Sequence, residues 1–334
     1  MRVSDATQAV ERVAPSVARR RSRPLWTPGL YASASWAAAA IVTKSLPNVV
    51  PWGSDDLFAI LVGLGAVGFA ALAVASPRTG WLRDTLDYYG PWFIAIGVWL
   101  TLWEFATAKT GWLPKPFFSP PTGLLHVYVT DWERLLICIG YSLRLWALGF
   151  GLGAAFGYVG GVALGWSKHF AYWGMPILKL IGPVPVTAWI PVTFYFFPTT
   201  FDASVFIVAL ASGIPVMILT SSGVASVNRA YYDVGRNLGA KPWYLVSRIA
   251  IPSALPHTFV GLFMGLYYSF AVLVVAEILG AKWGLGWYIS FQTNYSGYAN
   301  VYATLVIMSL LCAGLVKLLF SVRDRLLVWQ KGFI

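Results

Sequence analysis

Residues 233–252 of this chain read DVGRNLGAKPWYLVSRIAIP, a charged, glycine-broken stretch between two long apolar segments. The acid at its start is followed by Gly239 six residues on, Ile249 ten further on and Pro252 three beyond that. Charged side chains are strongly disfavoured in hydrocarbon, so this stretch must lie outside a membrane. We predict two short helices that turn at Gly239, because glycine adopts the left-handed conformation that ends a helix and Pro242 suits the first turn of the next one.

The two short helices carry further expectations. We expect Asp233 in the first turn of the first helix, where the helix dipole favours an acid by about 0.3–1 kcal/mol. The second helix should cover residues 242–250 and end at Pro252 and Pro256, because a proline inside a helix removes a backbone hydrogen bond.

The composition is that of a polytopic helical membrane protein. Apolar residues make up 58% of the 334 residues and charged residues 11%, whereas soluble domains carry about 25% charged residues. A membrane helix needs roughly 20 apolar residues, and a membrane barrel would show short alternating segments instead. We predict eight spans, near residues 28–47, 57–76, 91–108, 141–165, 173–197, 203–223, 255–280 and 302–321. The first is the most polar, since it contains Ser33, Ser35 and Lys44.

Positive charges are unevenly distributed between the predicted connections, which indicates an orientation. With the N-terminus inside, the cytoplasmic side receives six arginines of the basic tail 1–27 together with Arg78, Arg83, Lys168, Arg229, Arg236, Lys241, Arg248, Arg323, Arg325 and Lys331. The outer side receives Lys109, Lys115, Arg134 and Lys282. Eight spans leave both termini in the cytoplasm and put the loop 224–254 there as well. The net charge of +11 follows from this topology, so we expect no nucleic-acid partner.

The segment 141–165 carries five glycines, each four residues from the next: Gly149, Gly153, Gly157, Gly161 and Gly165. Residues at this spacing share one helix face, so they form a surface without side chains on which another helix can pack closely. We predict helix packing at this glycine stripe rather than contact with a solute.

The segment 173–197 contains Pro176, Pro183, Pro185 and Pro191. Proline frees backbone carbonyls, which a membrane tolerates only where protein or water satisfies them. We therefore predict an interrupted helix about halfway across the membrane. Such breaks often line transport paths, and a purely structural kink is the alternative.

Two titratable residues join Pro183, Pro185 and Pro191 as candidates for a translocation path. Lys179 lies one turn from the break, on the cytoplasmic side, where it would attract an anion. Glu277 lies near the outer end of its span, where we expect a polar contact between helices or with the outer gate rather than a proton relay. The two cysteines and three histidines are too scattered for a metal site.

These features, in this order, resemble the permeases of ABC importers of the nitrate, sulfonate, taurine and bicarbonate type. The stretch 233–252 resembles their coupling loop, Glu-Ala-Ala-x3-Gly-x9-Ile-x-Leu-Pro, with Asp233 in place of the glutamate and Val234-Gly235 in place of the alanines. The other matching motifs are Trp103-Glu104, Ser119-Pro-Pro121-Thr122, Ser142-Leu143, Gly149-Phe150, Gly182-Pro-Val-Pro185, Ile190-Pro191, Ala276-Glu277-Ile-Leu-Gly280 and Gly284-Leu-Gly286. One departure is Arg144, which stands one position before the expected arginine and should face another side of its helix.

The resemblance implies an all-α membrane protein with a six-helix core of the type I importer kind at residues 91–334. Residues 28–90 then form an N-terminal extension with two further spans. The implied partners are a cytoplasmic ABC ATPase dimer, an external solute-binding protein, a second permease copy and the lipid of a bacterial inner membrane. ATP and Mg would bind to the ATPase, so this chain would hold no cofactor or metal and perform no catalysis. The implied coupling residues are Asp233, Arg236, Gly239, Ala240, Pro242, Ile249 and Pro252.

The implied solute is a small anion or sulfonate, with an aromatic or vitamin-like compound as the alternative. An ion-coupled secondary transporter also stays open, although it would need acids or carbonyl sites deep in the membrane. A membrane scaffold would need only the glycine stripe. The phosphate-binding motif Gly-x4-Gly-Lys-[Ser/Thr] is absent from the sequence, so ATP hydrolysis is expected on another chain.

Overall fold

The computed structural model describes residues 25–75 and 80–329, and every regular element in these ranges is helical. Most of the basic tail 1–27, Arg78 and Lys331 lie outside the described residues. The chain divides into two compact units, the first ending at Trp112 and the second beginning at Leu113.

The described residues of the first unit form three helices. They are α1 (Thr27–Ser45), α2 (Asp55–Ala75) and α3 (Trp81–Glu104), which a π-helical turn extends over Phe105–Lys109. Helix α1 packs against both α2 and α3. Its Trp36 ring lies where a Cβ atom on Gly65 or Gly97 would come within 2.6 Å of it, and its Nε1 donates to the Phe93 carbonyl oxygen at 2.9 Å. Glycines on two helices thus make room for one indole ring.

A lysine closes one end of this unit. Lys109 Nζ donates to the carbonyl oxygens of Thr43 and Leu46, at 2.7 and 2.8 Å, and to the side chain of Asn48. The last carbonyls of a helix lack intrahelical partners, so the ammonium group satisfies the end of α1 and ties it to the end of α3.

The second unit contains ten helices in the described residues. They are α4 (Pro121–Thr130), α5 (Trp132–Trp166), α6 (Lys168–Ile181), α7 (Ile190–Phe196), α8 (Thr200–Ala225), α9 (Arg229–Asn237), α10 (Pro242–Leu245), α11 (Ile251–Gly280), α12 (Leu285–Asn294) and α13 (Tyr298–Leu326). A 3₁₀ turn, Val186–Trp189, precedes α7, and a π-helical turn, Val246–Ala250, joins α10 to α11. Helix α8 lies at the centre and packs along both α5 and α11.

The five glycines of the stripe all face α8. A Cβ atom on Gly153 would lie 2.2 Å from the carbonyl oxygen of Ala209, and one on Gly157 would lie 2.5 Å from that of Gly213. Real Cβ atoms do not approach backbone so closely, so the two helices meet backbone to backbone along their length. A side chain larger than hydrogen at these positions would separate α5 from α8.

Within the part of the chain that the structure describes, six helices are long and apolar enough to cross a membrane, whereas the sequence predicted eight spans. They are Asp55–Ala75, Leu82–Lys109, Trp132–Trp166, Thr200–Ala225, Pro242–Gly280 and Tyr298–Leu326. Helix α6 and the segment Val186–Phe196 add a seventh crossing if they form one broken span, bent by 91°. The region 28–47 does form a helix, but its serines and Lys44 leave it less apolar than the others.

The compact units divide the chain differently from the predicted domains. The predicted boundary at residue 90 falls inside α3, which continues through Pro91. Gly90 and Gly97 of α3 pack directly on α1, where Cβ atoms would lie 2.6 Å from Pro28 and 2.3 Å from Ser35. These contacts place α3 in the first unit.

The glycine stripe yields a matched test on neighbouring positions of α5. Gly153→Ala introduces a methyl group that collides with Ser212 and Ala209, whereas nothing lies within 4 Å of a Cβ on Gly151. We expect Gly153→Ala to destabilise the protein by about 1–3 kcal/mol, as overpacking does. The melting temperature of the purified protein is measured by heating samples and determining, by size-exclusion chromatography, how much folded protein remains. Equal melting temperatures for Gly153→Ala and the control Gly151→Ala would contradict close contact between α5 and α8.

Candidate functional site

The charged stretch forms a helical hairpin whose first arm is α9. Its N-cap is Asn228, whose Oδ1 accepts from the backbone N of Ala230 at 3.0 Å. This cap starts the helix one turn earlier than predicted, so the expectation that Asp233 lies in the first turn is wrong. Asp233 lies in the middle of α9 and pairs with Arg236 at 3.4 Å on the exposed surface.

Gly239 ends the first arm. Its φ is +78°, its N donates to the Arg236 carbonyl at 2.9 Å, and the N of Ala240 donates to the Gly235 carbonyl at 2.9 Å. These two hydrogen bonds define a Schellman motif, in which the left-handed residue is usually glycine. Nothing lies within 4 Å of a Cβ on Gly239, so the backbone conformation, and not space, requires glycine there.

The second arm is continuous with a membrane span. Pro242 occupies the first turn of α10, as predicted, but the prediction that Pro252 and Pro256 end this helix is wrong. The π-helical turn before Pro252 lets Ile251 N bond to the Val246 carbonyl, five residues back. We attribute the continuity to this wider turn, which accommodates the proline ring and its missing amide.

The two arms touch through Gly235. A Cβ atom there would lie 2.7 Å from Leu245 and 3.3 Å from Ile249. In the sequence, Gly235 stands out only as a glycine in place of an alanine of the coupling-loop motif. Its packing role gives no local signal, because it depends on how the turn at Gly239 folds the arms together.

The base of the hairpin is packed on the ends of three spans. Val224 of α8 forms a buried cluster with Ala250 and Ala254 of the second arm. Trp166, at the end of α5, meets Tyr232 of α9 edge-on, with ring centroids 5.5 Å apart. The hairpin is therefore attached to α5, α8 and α11 at once.

The free side of the hairpin exposes large apolar side chains. Leu238 is 82% exposed and Trp243 77%, with Tyr231 and Val234 also exposed. The hairpin also exposes the basic residues Arg229, Arg236, Lys241 and Arg248. Exposed apolar clusters rimmed by polar residues mark surfaces that bind another protein.

The proline segment forms the predicted break. Residues 182–185 separate α6 from the 3₁₀ turn, and α7 is anchored by Ile190, which packs with Ile207, Ala211 and Val272. Four of the predicted pathway residues are exposed around this break: Lys179, Pro183, Pro185 and Pro191.

Glu277, the fifth predicted pathway residue, is fully buried. It accepts from Ser142 Oγ at 2.6 Å and from Gly286 N at 2.7 Å, and Ser142 Oγ accepts from Leu285 N at 2.8 Å. Leu285 and Gly286 begin α12, so two side chains from other helices cap its N-terminus. This is the polar contact between helices, one of the two alternatives that the sequence left open.

A second polar network holds α12 in place. The Tyr288 hydroxyl donates to Asp131, at the start of α5, and accepts from Asn300 Nδ2 of α13 at 2.6 Å. Burial, followed by the hydrogen bond to Asp131, raises the pKa of the Tyr288 phenol above its usual value. The hydroxyl therefore stays protonated and remains a donor.

A cavity of about 690 Å³ lies between α5, α6 and α8. Its walls are apolar side chains and the backbone of Gly153, Gly157 and Gly213. Asp202 is the charged residue in the lining. Within residues 25–75 and 80–329, no three His, Cys, Asp or Glu side chains cluster as metal ligands would.

Comparison with known proteins gives consistent matches. Residues 149–328 match a family described as "Binding-protein-dependent transport system inner membrane component". The nitrate import permease protein NrtB of Synechococcus elongatus is 26% identical over 275 residues, which cover 75% of this chain and 92% of that protein. The putative aliphatic sulfonates transport permease protein SsuC of Bacillus subtilis is 30% identical over 265 residues, covering 77% and 90%. A solved structure of the MetNI methionine ABC transporter, inward facing, aligns at 19% identity with a TM-score of 0.49, over 59% of this chain and 96% of that one.

The cap on α12 gives a testable expectation. Glu277→Ala leaves the buried Gly286 amide and the Ser142 hydroxyl without their acceptor, which should destabilise the protein by about 1–3 kcal/mol. Hydrogen exchange of the α12 amides should accelerate, as followed by mass spectrometry. The control is Glu133→Ala, which removes an exposed acid from the first turn of α5. Unchanged exchange in α12 of the Glu277 variant would refute the capping role.

Proposed function

The chain belongs to the family of binding-protein-dependent transport system inner membrane components, and on this premise we propose that its hairpin couples a solute path to a separate cytoplasmic ABC ATPase. The observation that carries the proposal is the construction of the hairpin. One side is a rigid base on α5, α8 and α11, and the other exposes Leu238, Trp243 and their neighbours. A docked ATPase would bind the hairpin through these exposed side chains.

Rigidity supports the coupling role. The Schellman turn at Gly239 and the contact of Gly235 with Leu245 and Ile249 fix the angle between the arms. The second arm runs without interruption into a span that ends at Gly280. A force on the hairpin face would therefore move whole membrane helices rather than bend a loop.

We propose that the solute path runs along the exposed break at residues 182–185 and that a second copy of the chain completes it. Lys179 and the three exposed prolines lie around this break, where the carbonyls that proline frees need hydrogen bonds from water or protein. The same proposal includes a homodimer in the inner membrane, an external solute-binding protein, and ATP and Mg bound to the ATPase.

Nitrate and aliphatic sulfonates, named for the relatives, support a small oxyanion as the solute, in the nitrate, sulfonate, taurine or bicarbonate class. Lys179 at the break would attract such an anion. An aromatic or vitamin-like solute is the alternative, and ligand binding to the partner binding protein distinguishes the two.

The orientation is part of the proposal. Because α11 and α13 are two crossings and α12 is too short to be a third, the C-terminus lies on the hairpin side, in the cytoplasm. An N-terminus on the same side requires an even number of crossings. If the bent pair crosses, α1 must cross as well.

Reconstitution tests the proposal. The chain, its ATPase and its binding protein are placed in proteoliposomes with ATP on the hairpin side, and uptake of labelled nitrate or taurine is measured. We expect uptake that requires ATP hydrolysis and the binding protein. Uptake driven by an ion gradient without ATP would establish a secondary transporter and overturn the proposal.

Gly239 provides a sharper test of the hairpin. Gly239→Val forces a β-branched residue into the left-handed region, which costs about 1–2 kcal/mol or more and misplaces the second arm. ATP-driven uptake should fall by about tenfold, since each 1.4 kcal/mol changes an equilibrium tenfold.

The matched control is Gly239→Asn, because asparagine tolerates the left-handed conformation. It should keep most of the uptake, and both variants should reach the membrane at wild-type levels. Equal activity of the Val and Asn variants would show that the turn conformation does not matter for coupling.

A further inference from the structure

The cavity between α5, α6 and α8 has a polar rim and an apolar interior. Arg144 of α5 lies over the ring of Phe201, with 5.3 Å between its Cζ and the ring centroid. The next residue, Asp202, lines the cavity and accepts from the Thr199 hydroxyl at 2.6 Å. Arg144, which is outside the lining, therefore lies beside the residue that precedes Asp202, at the end of the cavity that Asp202 lines.

Helix geometry places this rim at the membrane surface opposite the hairpin. Arg144 precedes Trp166 by about 22 residues, and Asp202 precedes Val224 by about the same, which is roughly 33 Å along each helix at 1.5 Å per residue. Trp166 and Val224 support the hairpin base. Because the hydrocarbon core is about 30 Å thick, both charges lie at headgroup level on the far side.

The apolar part of the cavity extends inwards from this rim. Leu152 lies about 12 Å below Arg144, and Met217 lies about 22 Å below Asp202, by the same helical rise. One leaflet of hydrocarbon is about 15 Å deep, half the core. Because Met217 lies deeper than one leaflet, the lining reaches past the midplane of the core, as an extended acyl chain can, and an interior with so few polar groups would not hold water.

We propose that this cavity binds one phosphatidylethanolamine-type lipid of the leaflet opposite the hairpin. Its phosphate contacts Arg144, its primary ammonium contacts Asp202, and one acyl chain fills the space between α5, α6 and α8. The positive charge of Arg144 and the negative charge of Asp202 match the two charges of a zwitterionic headgroup, whereas a purely anionic lipid would match Arg144 alone. The proposal needs only a membrane-spanning chain, so its failure would leave the transport function standing.

The bound chain would support the break in the membrane. Leu178 and Ile181 at the end of α6, and Phe197 and Pro198 after α7, line the cavity on either side of the 91° bend. The bent pair packs on α8 through Ile190, and an acyl chain would fill the space that the bend leaves between the lining residues, α5 and α8.

The test is lipid retention by the purified full-length chain, measured by native mass spectrometry. The protein is stripped of lipid in detergent and offered palmitoyl-oleoyl phosphatidylethanolamine or phosphatidylglycerol. We expect one tightly held phosphatidylethanolamine per chain and about fivefold weaker retention of phosphatidylglycerol, the change expected for one exposed charge contact. Equal retention of both lipids would overturn the headgroup assignment.

Two pairs of variants separate a built site from lipid that merely coats the surface. Arg144→Gln should weaken retention about fivefold, whereas Arg134→Gln, which removes an exposed charge earlier in the same helix, should not change it. Leu178→Trp fills the cavity and should abolish retention, whereas Leu180→Trp, at a position 76% exposed and outside the lining, should not. Retention that is unchanged in both Arg144→Gln and Leu178→Trp would overturn the proposal.

A second copy of the chain is the competing occupant. Phe156→Cys places a thiol at the cavity wall, at a position 71% exposed. Mild oxidation should give no more disulfide-linked dimer than the wild type, which carries Cys138 and Cys312 as background. A strong new cross-link at position 156 would show that another copy covers the cavity and would refute lipid binding there.

Discussion

The structure depends on the close approach of backbones around α8. Lipid tails are as apolar as the side chains of a membrane helix, so association must come from contact packing and not from exclusion of water. The stripe of α5 supplies this contact on one side of α8. On the other side, Gly261 and Gly265 of α11 bring that helix to where their Cβ atoms would lie about 3 Å from the backbone of Val216 and Ser212. Three spans are thereby fixed as one body.

The other features are attached to this body. The hairpin base rests on one end of all three helices through Val224, Ala254 and Trp166. At the opposite end, Ser142 of α5 and Glu277 of α11 together hold the start of α12. The break between α6 and α7 packs on the same body through Ile190. The hairpin, the start of α12 and the break therefore all pack on the same rigid body of α5, α8 and α11.

The sequence predicted features whose cause is local. Glycine spacing indicated a packing face, proline density indicated a break, and Gly239 indicated a turn, because each follows from the conformational limits of one residue type. Features that depend on contacts distant in sequence could not be predicted. The cap formed by Ser142 and Glu277 joins residues 135 positions apart, and the role of Gly235 exists only once the arms have folded together.

Two errors have local causes that sequence rules overlooked. Asn228 is a strong N-cap, and recognising it would have started α9 at Arg229 and moved Asp233 out of the first turn. Proline usually ends a helix, but the π-helical turn lets the second arm continue through Pro252. The sequence supports a membrane crossing by α1 only weakly, since Ser33, Ser35 and Lys44 make this short helix more polar than the other spans.

The continuous helix from Pro242 to Gly280 has a mechanical meaning. Its 39 residues form a rod of about 58 Å, which extends from the exposed face of the hairpin to the buried carboxylate at the far surface. A rod that pivots about its midpoint swings its two tips in opposite directions, by about 5 Å each for a rotation of ten degrees. A displacement of the hairpin would thus reach the far surface through a single helix, with no joint between them.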